Sequence, residues 1–107
     1  MNLFEMQCSN ILSNTEPFSK KEVMFYLEKL KNWSEEENHK KIKKKFKFKN
    51  FKEAFDFVRS VFILSEIENH HPEISFGWGY VYIEIFTHSI NGLNINDFIL
   101  ASKIDRI

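Results

Sequence analysis

Positions 51, 54, 55, 58, 61, 62 and 65 (Phe, Ala, Phe, Val, Val, Phe, Ser) lie three or four apart along one stretch of the chain. That is the period of a helix, and Phe57 and Leu64 widen the apolar stripe further than a surface helix needs. Asn50 and Glu53 form a capping box at its start. Pro72 marks the far limit, because the residue before a proline avoids the helical region and His71 must be extended. The spacing predicts a helix over residues 51–68 that serves as the core element, so the rest of the fold must supply an apolar layer to receive it.

The flanking segments supply that layer. "KKIKKKFKFK" alternates, with Ile42, Phe46 and Phe48 on one side and Lys43, Lys45, Lys47 and Lys49 on the other, which is the pattern of a half-buried strand. Lys44 interrupts the apolar side. A short strand from Trp33 to His39 is expected to pair with it. Downstream, "ISFGW" and "YVYIEIFT" read as two strands joined by a tight turn near Gly79, with Val81, Ile83 and Ile85 alternating against Tyr82, Glu84, Phe86 and His88. Two further helices are predicted. One opens at Ser19, with Glu22 completing a capping box, Phe18 stapling onto Val23, and Val23, Tyr26, Leu27 and Leu30 as its stripe, and it stops near Asn32. The other runs over residues 95–106 behind an Asn94 cap, with Asp97 at its third position and Phe98, Leu100, Ala101 and Ile104 facing inward. The order αββαββα predicts an α+β domain, a four-stranded antiparallel sheet with three helices packed on one face. Residues 1–17 have no clear periodicity and are expected to form an N-terminal extension, with the domain at residues 18–107.

Composition removes several classes of function. The chain is one domain long and rich in Phe, with 12 against 3 Gly and 2 Pro, which argues for regular packed elements over disorder. Fifteen basic and fifteen acidic residues cancel, so no overall field points to nucleic acid or a membrane surface. The lysine run is better explained as a solvated sheet face neutralised by Glu35, Glu36 and Glu37 than as an RNA-binding strand. The single cysteine, Cys8, has no partner for an internal disulfide, and no apolar run approaches the ~20 residues a membrane span needs. No secretory signal is apparent, so a reducing, cytoplasmic compartment is the expectation.

What remains to be explained is "ENHHPEISFGW". Two of the four histidines, His70 and His71, sit side by side at the junction of the central helix and the third strand. Glu66 precedes His70 by four residues, Trp78 follows Pro72 by six, His88 follows Trp78 by ten, and Asp97 follows His88 by nine. At these positions "EIENHHPEISFGW…THSINGLNINDFILASKID" resembles the pterin-4a-carbinolamine dehydratase family. The resemblance extends back through "FKFKNFKEAFDFV" and Trp33 and covers residues 18–107.

The resemblance implies dehydration of 4a-hydroxytetrahydrobiopterin to quinonoid dihydrobiopterin, in tetrahydrobiopterin recycling. It also implies no metal, no organic cofactor, and assembly into homodimers or homotetramers. It places the catalytic histidines at His70, His71 and His88, and a motif acid at Asp97. Substrate-binding or orienting roles are expected for Asp97, Glu66, Trp78 and Trp33. The chemistry suits imidazole: a carbinolamine carries hydroxyl and amine nitrogen on one carbon, so losing water requires one proton given and one taken, and both can happen near neutral pH. Family members also act as dimerisation cofactors for a homeodomain transcription factor, so such a partner, and the nucleus as a second location, follow from the resemblance alone.

Each residue also has a plainer explanation. Three histidines could ligate zinc, but no fourth ligand or HExxH pair accompanies them. His70 could cap the central helix, Asp97 could serve only the start of the last helix, and Glu66 could orient a histidine or face water. His39 lies outside the constellation and is expected to be solvated. Finally, residues 80–87 are apolar, proline-free and poor in charge. This segment is expected to be a sheet edge at which two copies pair about a two-fold axis.

Overall fold

The computed structural model describes residues 2–107, and it is the predicted α+β architecture. After a 3-10 turn at Leu3–Glu5 come α1 (Lys20–Leu27), β1 (Ser34–Glu36), β2 (Lys41–Lys47), α2 (Phe51–Glu68), β3 (Glu73–Gly77), β4 (Tyr80–Ile85), a 3-10 turn at His88–Ile90 and α3 (Ile95–Ile104). The four strands form one antiparallel sheet in the order β1-β2-β4-β3.

The local signals cap the helices with one departure: at α2 the Asn50 half of the expected capping box forms, but the Glu53 carboxylate accepts from the Lys49 N–H at 3.1 Å and not from that of Asn50. Ser19 and Glu22 close both halves of a capping box on α1. The Asn50 side chain accepts from the Glu53 N–H at α2, and Asn94 with Asp97 caps α3. In each case a side chain satisfies N–H groups that the first turn leaves without partners. Between β3 and β4 the turn rests on Gly79, whose φ of +85° disfavours any side chain and whose missing Cβ would sit 3.2 Å from the Phe48 carbonyl.

Ile42, Val81, Ile83 and Ile85 are fully buried on the helix side of the sheet, where Ala54, Val61, Phe98, Leu100 and Ala101 cover them. Removing each of these strand side chains from water contributes about 1.5–3 kcal/mol. Lys44 shares that face without breaking it. It pairs opposite Ile83, and its ammonium reaches Asp105 at 2.8 Å and the Lys31 carbonyl at 3.0 Å.

Several expectations are corrected by the packing. Residues 80–87 do not form an edge: β4 is hydrogen-bonded on one side to β2 and on the other to β3, so it cannot pair with a second copy. The free edges belong to β1 and β3. A lysine at Ile83 or Ile85 would therefore test the core, not an interface, since both are fully buried.

The predicted strand from Trp33 to His39 is shortened to Ser34–Glu36. Glu37, Asn38 and His39 take positive φ (53°, 58° and 57°) and make a turn. The helix α1 ends at Leu27, short of Asn32, and α3 ends at Ile104. The wide stripe of α2 divides. Ala54, Val61 and Ser65 are buried, whereas Phe51, Phe55 and Phe62 on its flank are 51%, 48% and 60% exposed.

The segment ahead of Phe18 lies on the domain. Leu3 is buried in the common core, and Gly92 lets Pro17 approach so closely that a Cβ there would stand 2.7 Å from the Pro17 Cβ. No helix among the described residues is long and apolar enough to cross a membrane.

Candidate active site

Three of the four histidines meet at one end of the sheet, where β3 begins and β4 ends. α2 stops at Asn69, which takes the left-handed conformation (φ 53°, ψ 40°) and returns its N–H to the Ser65 carbonyl. The His70 N–H reaches the same carbonyl at 3.2 Å, so the backbone of both residues closes the helix and the His70 side chain is left for other work. Across from it the chain leaves β4, makes a bridge between Thr87 and Gly92, and turns through His88–Ile90. Asn69, His70, His71, Phe86, Thr87, His88 and Ser89 line an open cavity of about 200 Å³ between these two loops. A larger hollow of about 680 Å³, between the N-terminal 3-10 turn and the end of α3, holds none of the histidines, and its one carboxylate, Asp105, is bonded to Trp33 and Lys44.

The three imidazoles differ in how firmly they are held. The His70 Nε2 lies 2.7 Å from Asp97 Oδ1, with the His70 side chain 12% exposed and that of Asp97 fully buried. The other Asp97 oxygen accepts from the Thr87 hydroxyl at 2.8 Å and from the Asn94 N–H at 2.9 Å. An ionised carboxylate only accepts hydrogen bonds, and this one already takes two donors on its second oxygen. Nε2 of His70 therefore carries its proton toward Asp97, and Nδ1 is the nitrogen left for exchange.

His71 contacts Glu66 at 2.5 Å, both more than half exposed. His88 stands against the Phe86 ring at 4.1 Å between centroids, with Glu73 3.9 Å from its Nε2.

Asp97 thus serves both roles the sequence left open, capping α3 and fixing a histidine. Of the two alternatives open for Glu66, the structure shows contact with a histidine, His71. The two tryptophans are not brought to the histidines within the chain. Trp33 is buried under the sheet, donating its indole N–H to Asp105 at 3.0 Å and meeting the Phe46 ring edge-on. Trp78 is exposed at the β3–β4 turn, the opposite end of the hairpin from His70 and His88. His39 lies in the β1–β2 turn, away from the cluster.

Thr87, Asn94 and Phe86 complete the site without having been assigned to it from sequence. Only Asn94 carried a local signal, as a cap. Among the described residues no group of three His, Cys, Asp or Glu is placed to hold a metal ion.

The fold and the cluster define a class of protein: an α+β sheet that presents imidazoles at the junction of its core helix and edge strand, one of them held by a buried carboxylate. Residues 16–107 match the family model for pterin 4 alpha carbinolamine dehydratase. A Methylococcus capsulatus protein provisionally named a pterin-4-alpha-carbinolamine dehydratase is 42% identical over 106 residues, covering 99% of this chain and 93% of the relative. Among solved structures, a transcriptional coactivator/pterin dehydratase from Brucella melitensis superposes with a TM-score of 0.80 at 30% identity, covering 85% of this chain and 97% of its own. A pterin dehydratase-like protein described as a RuBisCO assembly factor in the alpha-carboxysome superposes with a TM-score of 0.62 at 26% identity, covering 70% and 87%. The chain belongs to the pterin-4-alpha-carbinolamine dehydratase family.

Proposed function

We propose that the protein dehydrates 4a-hydroxytetrahydrobiopterin to quinonoid dihydrobiopterin by histidine acid–base catalysis, in tetrahydrobiopterin recycling. The observation that carries this is the His70–Asp97 pair, a buried carboxylate fixing the tautomer of an imidazole that lines a cavity with two further histidines. Dehydration of a carbinolamine breaks the C4a–OH bond and needs a proton on the departing hydroxyl, while the electron pair of the adjacent ring nitrogen forms the new C=N bond as that nitrogen gives up its proton. His70, through Nδ1, is positioned to take or give one of these protons. His71 and His88 face the same cavity from its exposed side, where they can hold the pterin and exchange the other. Phe86, tilted at 42° against the His88 ring, offers an apolar surface to the flat pterin. No step calls for a metal or an organic cofactor. The test is direct: purified protein mixed with a synthetic 4a-hydroxytetrahydropterin should accelerate formation of the quinonoid dihydropterin, and an unchanged rate would refute the assignment.

One observation favours a second role. Along α2, Phe51, Phe55, Phe62, Ile63 and Ile67 are 51%, 48%, 60%, 50% and 73% exposed, an apolar strip rarely left in water. It supports self-association into a homodimer or homotetramer. It is equally the face through which an interaction module would take a transcription-factor partner, as the coactivator name of the Brucella melitensis neighbour suggests for that protein. Light scattering should return a mass of two chains or more, and Phe62→Glu should lower it.

A further inference from the structure

Residues 2–9 lie ahead of the family match, which begins at residue 16, yet two of them are bonded to both of the helices that carry the His70–Asp97 pair. The Cys8 N–H donates to Glu68 Oε1 at 2.9 Å, and the other Glu68 oxygen takes the Lys103 ammonium of α3 at 2.7 Å. Glu68 stands two residues before His70. The Ser9 N–H donates to Asn96 Oδ1 at 3.1 Å, and Asn96 Nδ2 donates back to the Ser9 carbonyl at 2.6 Å. Asn96 stands directly before Asp97.

Adjacent strap residues therefore grip the end of α2 and the start of α3, each within two residues of one partner in the pair. The Glu68–Lys103 contact, only 7% and 14% exposed, closes the ring between the helices. Leu3, 4% exposed, anchors the strap into the core. Burial and the neighbouring Glu68 charge push the Cys8 thiol up to about 12, so it stays a protonated donor, 3.5 Å from the Asn96 carbonyl, and not a nucleophile.

We propose that the Cys8–Ser9 strap is a positioning element that fixes the separation of His70 and Asp97, with Asn96 and Glu68 as the positioning residues it holds. The reason lies in the geometry of the pair. His70 follows a helix end and Asp97 opens another helix, so their 2.7 Å contact depends on two termini that no strand pairing ties together. Misplacing a proton-transfer group by about 1 Å costs on the order of 100-fold in rate, so a tie at this point has a catalytic consequence that burial alone would not demand. The inference rests on the dehydratase reading for its kinetic arm only.

The test uses the full-length chain and two measurements. Proton exchange at the His70 Nε2, followed by NMR on nitrogen-15-labelled histidine, reports the contact with Asp97 independently of activity; kcat and KM report the chemistry. Asn96→Ala should speed that exchange about ten-fold and lower kcat about ten-fold, with KM within about two-fold of the wild type. Ser9→Pro, which removes the Ser9 N–H and leaves α3 untouched, should move both in the same direction and decides the matter if Asn96→Ala does not fold. Val81→Ala, a core change at the other end of the sheet, should lower the melting temperature and leave the His70 exchange as it is. Wild-type exchange in both strap variants, or equal acceleration in Val81→Ala, would overturn the proposal. A wild-type protein with no dehydratase activity would instead remove the dehydratase reading, while the exchange rates would still decide the role of the strap.

Discussion

His70 and His71 are neighbours in sequence, each against a carboxylate, yet the two contacts are built in opposite ways. The His70–Asp97 contact is 12% and 0% exposed, and its carboxylate is held on its second oxygen by Thr87 and Asn94. The His71–Glu66 contact is 52% and 59% exposed, and nothing else is bonded to the Glu66 carboxylate among the described residues. The first is a fixed instrument: tautomer, orientation and distance are set before any ligand arrives. The second is an adjustable one, free to follow a substrate. His88, 66% exposed beside Glu73, belongs with the second. A site that must exchange two protons with a soluble ring has reason to contain both kinds.

Substitutions should separate the two kinds by what they lose. The largest effect is expected for Asp97→Ala, which leaves His70, the Thr87 hydroxyl and the Asn94 N–H without their shared acceptor in a fully buried position. Urea unfolding should show a loss of about 3–5 kcal/mol, and a loss below about 1 kcal/mol would mean the pair is not the rigid element described. His88→Ala should be the converse. Dehydratase turnover falls about ten-fold or more, while stability stays within about 0.5 kcal/mol, as for other exposed positions.

Acid tests the tie behind the buried pair. Burial works against the Glu68 charge, but the Cys8 N–H and Lys103 outweigh it and hold the carboxyl below its ordinary 4.5. A carboxylate depressed in the folded state stabilises it fully above the unfolded value, and that contribution is lost as pH falls through the depressed one. The wild type should therefore weaken on acidification below about 4.5 more steeply than Glu68→Gln, as read from melting temperatures across that range. Parallel curves for the two proteins would deny Glu68 this role. The smallest effect belongs to Glu66→Gln: an exposed ion pair is worth about 0–1 kcal/mol and is screened by salt, so unfolding should barely change and any activity change should shrink at high ionic strength.

What the sequence disclosed followed the range of each signal. Capping at Ser19, Asn50 and Asn94 is decided within three residues, and the capped starts were legible to the residue. The histidine cluster was legible through the family resemblance that its motif carries. Strand order is not local. Residues 80–87 read as an edge because nothing in their composition distinguishes a strand covered on both sides from one that seeks a partner, and only the pairing of β2 with β4 resolves it. The wide stripe of α2 likewise could not say which part the sheet covers. Trp33 and Trp78 followed the motif in sequence but not in space, since a tight turn at Gly79 sends Trp78 to the far end of the hairpin and the indole of Trp33 is committed to Asp105. The partner of His70 was hidden for the same reason, since Asp97 lies 27 positions away and comes close only when α2 and α3 are packed.

The central claim is that an imidazole fixed by Asp97 exchanges a proton with the carbinolamine, and the rate of dehydration of a 4a-hydroxytetrahydropterin by His70→Ala, set against the wild type, tests it most directly. The account predicts a wild-type protein that accelerates the reaction and a folded variant slower by about ten-fold or more. A His70→Ala protein that turns over at the wild-type rate would contradict it.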